Sequence, residues 1–111
     1  MNRAASFPEQ QSLTTQEILE LGLQHLAAGN LSKAQVFFNR VLQTDAKHAV
    51  ALHLLGVISH QKGENDRAVD LITKAIDIKP DYAKMHFTLG NVLRELGRLD
   101  EAVPSYRKAL I

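Results

Sequence analysis

The chain has 111 residues, of which 45% are hydrophobic, 23% charged and 5% aromatic. Its 13 basic and 12 acidic side chains give a net charge of +1, so no strong field attracts nucleic acid or an acidic membrane surface. Because the chain lacks cysteine and any apolar run near the ~18 residues that cross a bilayer, no disulfide framework and no membrane insertion are predicted, and a cytoplasmic location is expected.

Residues 1–14 are mostly polar and are predicted to form a flexible N-terminal arm. Phe7, followed by Pro8, is a candidate to enter a groove of its own chain or of a neighbouring copy. The first helix is predicted over 15–28, because Thr14 and Glu17 have the spacing of a capping box.

Five more helices follow, and no segment has the alternating apolar pattern of a strand. They are predicted over 32–44, 49–62, 66–78, 83–96 and 99–111. Asp81 is the predicted N-cap of the fifth helix. Pro104 lies about five residues into the last helix, which predicts a mild kink or a shifted helix start, with a functional hinge as the alternative.

The six glycines form two series with a spacing of 34 residues. Glycine inside a helix costs about 1 kcal/mol relative to alanine, so a series there indicates close approach of two helices. That series is Gly22, Gly56 and Gly90, with Ala34, Ala68 and Ala102 as the expected small partners. The other series follows helix ends, where a left-handed cap is usual: Gly29, Gly63 and Gly97. The bulky side chains expected between hairpins are Phe38, Ile72 and Tyr106.

A 34-residue unit of two helices with Leu-Gly, Gly, Ala and a bulky apolar residue at fixed positions resembles the tetratricopeptide repeat. The resemblance implies an all-α fold, a right-handed superhelical α-solenoid of three antiparallel helix hairpins. Its repeats are predicted at 15–48, 49–82 and 83–111, the third truncated and without a C-terminal capping helix. Where the family usually has an aromatic residue, the third repeat has His86, which is expected to be hydrogen-bonded or half exposed.

The resemblance also implies a concave face lined by the first helix of each repeat. On it the apolar contact residues would be Leu19, Leu23, Leu54, Val57 and Phe87, and the polar ones His53, Lys84, Asn91 and Arg94. An apolar face of this kind usually marks an interaction site, so a module that binds a peptide or protein segment is predicted. The alternative is that the N-terminal segment or another subunit covers these leucines.

Two branches of the family are tested by residue. A chaperone-type carboxylate clamp needs Lys and Asn on these helices, and only Lys84 matches, so that function is rejected. The Asn ladder of glycosyltransferase-linked repeats is absent from Glu20, Leu54 and Thr88. Even so, 89–99 resembles repeats that precede bacterial glycosyltransferase or sulfotransferase domains. An N-terminal regulatory arm of such an enzyme is therefore the alternative function.

No residue pattern in the chain indicates an enzyme, a metal site or a cofactor. His53 and His60 are seven residues apart on one helix, roughly 10 Å, which is too far to share a metal ion without a third element. The glycines inside helices do not form a phosphate loop. The chain itself is predicted not to be an enzyme.

The last helix presents apolar residues where a further repeat would dock: Val103, Tyr106, Leu110 and Ile111. Because the ends of a solenoid need a polar outer face for solubility, this end is predicted to be covered. Either the chain is a fragment of a longer protein or another copy covers it, which makes a homo-oligomer a further hypothesis.

Overall fold

The computed structural model describes residues 12–111, which form six α-helices and no strand. They are α1 (Thr15–Ala27), α2 (Leu31–Thr44), α3 (Ala49–Gln61), α4 (Asn65–Ile78), α5 (Ala83–Glu95) and α6 (Leu99–Ala109). Each bound lies within two residues of the predicted one, and the all-α prediction is confirmed. Residues 1–11 of the predicted arm, and with them Phe7, lie outside the described residues.

The helix ends follow local rules that are visible in the sequence. The Oγ1 of Thr14 accepts a hydrogen bond from the backbone N–H of Glu17 at 3.1 Å, and the Glu17 carboxylate accepts one from the backbone N–H of Thr14 at 2.9 Å. The predicted capping box is therefore confirmed. Asp81, however, is not a cap: α5 begins after Tyr82, whose side chain makes no capping bond. Pro104 lies inside α6, which starts at Leu99 as predicted, so no shifted start occurs.

Each hairpin turns at a glycine with a left-handed backbone, as predicted. The φ angles of Gly29, Gly63 and Gly97 are 81°, 80° and 77°. At the middle turn, the N–H of Gly63 donates to the carbonyl of His60 at 3.0 Å, and the N–H of Glu64 donates to the carbonyl of Ser59 at 2.8 Å. These bonds use carbonyls that the end of α3 leaves free.

The glycines inside helices allow close packing, as predicted, and the nearest side chains are bulky ones. A Cβ at Gly56 would lie 2.5 Å from Cγ1 of Ile72, and one at Gly90 would lie 2.7 Å from the ring of Tyr106. Gly22 faces Phe38 in the same way, at 2.5 Å. The bulky residues thus lie across the glycines within each hairpin. The same side chains also reach the next hairpin, as predicted, since Phe38 packs with Leu55 and Ile72 packs with Val92. The predicted small partner is found at Gly56, where the backbone oxygen of Ala68 lies 3.4 Å from the Cβ position.

The core consists of three clusters from the first hairpin to the third, linked by the partly buried residues Leu42, Leu71 and Ile76. Phe38 and Ile72 are fully buried, and each such side chain contributes about 1.5–3 kcal/mol through burial. Around them lie Ile18, Leu55 and Ile58 in one cluster, and Val92 with Ala68 in another. Helix α3 is covered on both sides and has eight buried residues. Since α1, α3 and α5 are the first helices of successive hairpins, their side chains form one surface, here called the first-helix face.

Candidate functional site

The first-helix face has three kinds of predicted contact residue when sorted by exposure. Leu23, Lys84, Phe87 and Arg94 are exposed; Leu54, Val57 and Asn91 are half-buried; Leu19 and His53 are buried. Leu19 belongs to the core cluster that contains Leu55, with Leu54 packed against it. Leu19 and His53 therefore offer little surface to a partner and instead hold neighbouring helices together.

His53 has a defined hydrogen-bonding state. The hydroxyl of Thr88 donates to the backbone carbonyl of Lys84 at 2.9 Å, so its oxygen is free to accept a hydrogen bond. The Nε2 of His53 lies 3.0 Å from that oxygen and must carry the proton that it donates. Burial, together with the smaller effect of the positive charge of Lys84, lowers the pKa of His53 to about 4. His53 is therefore neutral at pH 7.

A second contact joins the same two helices. The Nε2 of His60 lies 2.8 Å from a carboxylate oxygen of Glu95, and both side chains are partly exposed. The two contacts, His53 with Thr88 and His60 with Glu95, each span 35 residues and are named here the α3–α5 polar seam. This seam was not predicted from the sequence. In both pairs the two residues are 35 positions apart, which is one repeat plus one residue, so polar side chains at that spacing on first helices were the available signal.

The α1–α3 junction is built differently at the equivalent positions. Leu19 and Leu54 stand where His53 and Thr88 stand one repeat later, and Leu26 stands where His60 stands. Both Leu26 and Leu54 pack against the first core cluster. The first-helix face is consequently apolar between α1 and α3 and polar between α3 and α5.

At its far side the face continues into α6 through aromatic contacts. The rings of Phe87 and Tyr106 are tilted by 57° with centroids 5.9 Å apart. The hydroxyl of Tyr106 donates to the Oδ1 of Asn91 at 2.6 Å, so this amide oxygen is already bonded within the chain. Tyr106 is half-buried, whereas Val103, Leu110 and Ile111 are exposed. Leu23, Val57 and Arg94 share the face but have no comparable side-chain bond to the other predicted residues among those described.

His86 and two cavities lie on the other side of α5. His86 is buried and its Nε2 donates to the carbonyl of Pro80 at 2.6 Å, which confirms the expected hydrogen bond. Cavities of about 540 and 510 Å³ are lined by α4, α5 and α6 and their connections, including Ile76, His86 and Leu89. Within residues 12–111, no three His, Asp or Glu side chains gather as they would around a metal ion. None of the described helices has the length and apolarity needed to cross a membrane.

Comparison with known proteins gives consistent matches. A family model of the tetratricopeptide repeat matches residues 19–83, and a second one matches 83–111. Human DnaJ homolog subfamily C member 3 is 32% identical over 92 residues, 83% of this chain and 18% of that protein. Human protein O-mannosyl-transferase TMTC1 is 33% identical over 102 residues, 86% of this chain and 12% of that protein. The chain thus spans less than a fifth of either relative.

The fold is also found among solved structures. The crystal structure of MamA superposes with a TM-score of 0.80 at 27% sequence identity. The match covers 87% of this chain and 57% of the MamA chain. The helical hairpins described above are therefore shared with an experimentally determined protein over nearly their whole length.

Proposed function

The chain belongs to the tetratricopeptide repeat family, and on that premise we propose that it is a protein-interaction module whose first-helix face binds a peptide or protein segment. The observation that carries the proposal is the exposure of large apolar side chains there, 40% for Leu23 and 53% for Phe87. Half-buried Leu54 and Val57 add apolar surface on α3. Exposed apolar surface of this kind often becomes buried against a partner.

The two halves of the face favour different groups on the bound segment. Aliphatic side chains fit beside Leu23, Leu54 and Val57, because contact there removes apolar surface from water. Lys84 and Arg94 are exposed on α5 and favour acidic groups. The bound segment is therefore proposed to combine aliphatic side chains over α1 and α3 with acidic ones over α5.

Several finer points belong to the same proposal. The repeats are proposed to have the bounds 15–48, 49–82 and 83–111. The chain binds a partner and does not itself catalyse a reaction. We also propose that the chain is cytoplasmic, as expected from its sequence.

A capture experiment with matched variants tests the site. Partners captured from the source cells by the native chain are identified, and their binding segments are titrated against Leu23→Glu, Phe87→Glu and Val36→Glu. Val36 is exposed on α2, so its variant adds the same charge away from the face. Loss of binding of about tenfold or more in the first two variants, with none in the third, is expected because a buried apolar contact becomes a desolvated charge. Retained binding in Leu23→Glu and Phe87→Glu would contradict the proposal.

A second candidate function is a repeat arm of a larger enzyme. It is supported by the similarity to protein O-mannosyl-transferase TMTC1, in which the matching part is 12% of the protein. In that case the binding face would select substrates or partners for chemistry performed elsewhere. An antibody raised against residues 12–111 distinguishes the candidates by the mass of the protein it detects in the source cells. A band near 12.3 kDa contradicts the enzyme arm, and a much larger one supports it.

A further inference from the structure

Helix α6 and its C-cap carry an apolar stripe that is largely exposed, although α5 covers one side of Tyr106. Leu99, Val103, Tyr106 and Leu110 follow one another at intervals of four, three and four residues, the spacing of a two-helix interface. Leu99, Val103 and Leu110 are 57%, 45% and 87% exposed, and Tyr106 is half-buried. Four apolar residues in this register on one helix edge are more than the scattered exposed leucines of an ordinary surface.

The stripe continues an interface that the molecule already uses. One repeat earlier, the same positions on α4 are Asn65, Val69, Ile72 and Ile76. There Ile72 is fully buried, and Val69 and Ile76 pack in the cluster that includes Leu89 and Leu96 of the following hairpin. Three of the four stripe positions therefore correspond to α4 residues that pack with the following hairpin, whereas Leu99 corresponds to polar Asn65.

The stripe is not suited to bind α1 of a second copy in a head-to-tail stack. Met85 and Val92, fully buried, are among the residues that α5 presents to the preceding hairpin. The residues of α1 at their positions are Glu17 and Gln24, and both are exposed. Stacking α1 on the stripe would bury a carboxylate and an amide against leucine and valine, which is costly without partners.

The charges beside the stripe select an arrangement of two α6 helices. The first turn of α6 contains Asp100 and Glu101, and the last turn contains Arg107 and Lys108. Asp100 and Arg107 are exposed, seven residues apart, and flank the stripe on one side. In a parallel pair, Asp100 and Arg107 would face the opposite flank of the partner helix, which has Ala102 and Ala109, and would meet no opposite charge. Antiparallel helices would place Asp100 of each copy beside Arg107 of the other.

We propose that two copies of this chain pair through α6, antiparallel and related by a two-fold axis. Leu99 then faces Leu110 of the second copy, and Val103 faces Tyr106 of the second copy. The stripe supplies the buried apolar centre and the two Asp100–Arg107 pairs supply the polar rim, as in other small interfaces. The same surface patch is used on both copies, which closes the assembly at a dimer.

Sedimentation equilibrium of the native chain tests the pairing, from about 5 to about 500 μM, a range that includes the affinities of small interfaces. The mass is expected to rise toward twice that of the monomer. Val103→Glu should weaken the association about tenfold or more, because it places two carboxylates at the centre of the contact. Val36→Glu, on exposed α2, should leave it unchanged. A monomer at every concentration would overturn the proposal. The stripe would then bind a helix other than α6 of a second copy.

Charge exchange tests the antiparallel arrangement separately. Asp100→Arg and Arg107→Asp alone should each weaken self-association, because like charges then meet across the axis. An equimolar mixture of the two variants should associate as well as the native chain, since each contact again joins an acid to a base. Circular dichroism confirms that both variants are folded. A mixture that associates no better than its components contradicts the two-fold arrangement, even if the native chain forms dimers.

Discussion

Ile72 lies across Gly56 in the space where the methyl group of an alanine would stand. The ideal Cβ position is 2.5 Å from Cγ1 and 3.1 Å from Cδ1 of Ile72, and that side chain is fully buried. Gly63 differs, since no atom comes within 4 Å of its Cβ position and only its φ of 80° excludes other residues. Two glycines seven residues apart are thus required for unrelated physical reasons, one for space and one for backbone conformation.

We expect Gly56→Ala to lower the free energy of unfolding by about 1–2 kcal/mol, because overpacking outweighs the gain of about 1 kcal/mol in helix propensity. Gly63→Ala should cost about 1–2 kcal/mol through its left-handed backbone. Urea denaturation combined with Ile72→Ala separates the two causes. Gly56→Ala should be less harmful in the Ile72→Ala background, whereas the cost of Gly63→Ala should be the same in both backgrounds. Additive costs for Gly56 and Ile72 would contradict the packing explanation.

The helices themselves were predictable from the sequence, but the contacts between first helices were not. Helix ends depend on nearby residues such as Thr14, Glu17 and Gly63, so their bounds were predicted to within two residues. The α3–α5 polar seam joins residues 35 positions apart, and its donors and acceptors are assigned only once Thr88 is placed beside His53. The burial of Leu19 and His53 was missed for the same reason. The position of a residue in the repeat predicts the side of the helix on which it lies. The exposed fraction of its side chain depends on the neighbouring helix.

The element most sensitive to pH should be the α3–α5 junction. The pKa of His53 is about 4 in the fold and 6.5 as a free side chain, so the unfolded chain binds a proton first as pH falls. The contribution of neutral His53 to the free energy of unfolding is therefore fully present above about pH 6.5 and is lost progressively down to about pH 4. Between pH 7.5 and 5 the expected loss is about 2 kcal/mol from this group.

A matched variant makes the pH prediction specific. His53→Leu with Thr88→Leu copies the Leu19 and Leu54 pair of the α1–α3 junction into the α3–α5 junction. The free energy of unfolding, measured by heat or urea at pH 7.5 and at pH 5, should fall by about 2 kcal/mol less in this variant than in the native chain. An unchanged pH dependence would mean that other groups control the acid sensitivity.

At the scale of the whole molecule, the hairpins form a row in which each contacts only its neighbours. Helix α3, in the middle, has eight buried residues, whereas α6 has two. In such a row, the free energy of unfolding is approximately the sum of the stabilities of the hairpins and of the contacts between neighbours. Because an end hairpin has only one neighbour, local opening should begin at the ends.

Amide hydrogen exchange should follow this order. We expect the slowest exchange in α3 and faster exchange in α6, measured in dilute solution where association is negligible. Raising the protein concentration should slow exchange in α6 selectively, since pairing through its apolar stripe links opening to dissociation. Equal protection of α3 and α6 in dilute solution would show that the three hairpins unfold as a single unit.

The polar outer surface of α1 limits how large an assembly can become. A row of repeats with an apolar stripe at both ends would join end to end into a filament, because each added copy would present a new site. Here Glu17 and Gln24 lie where such a site would be on α1, while the stripe lies on α6. Among residues 12–111, the proposed pairing through α6 therefore leaves no apolar stripe on α1 to which a further copy could add, because Glu17 and Gln24 are polar.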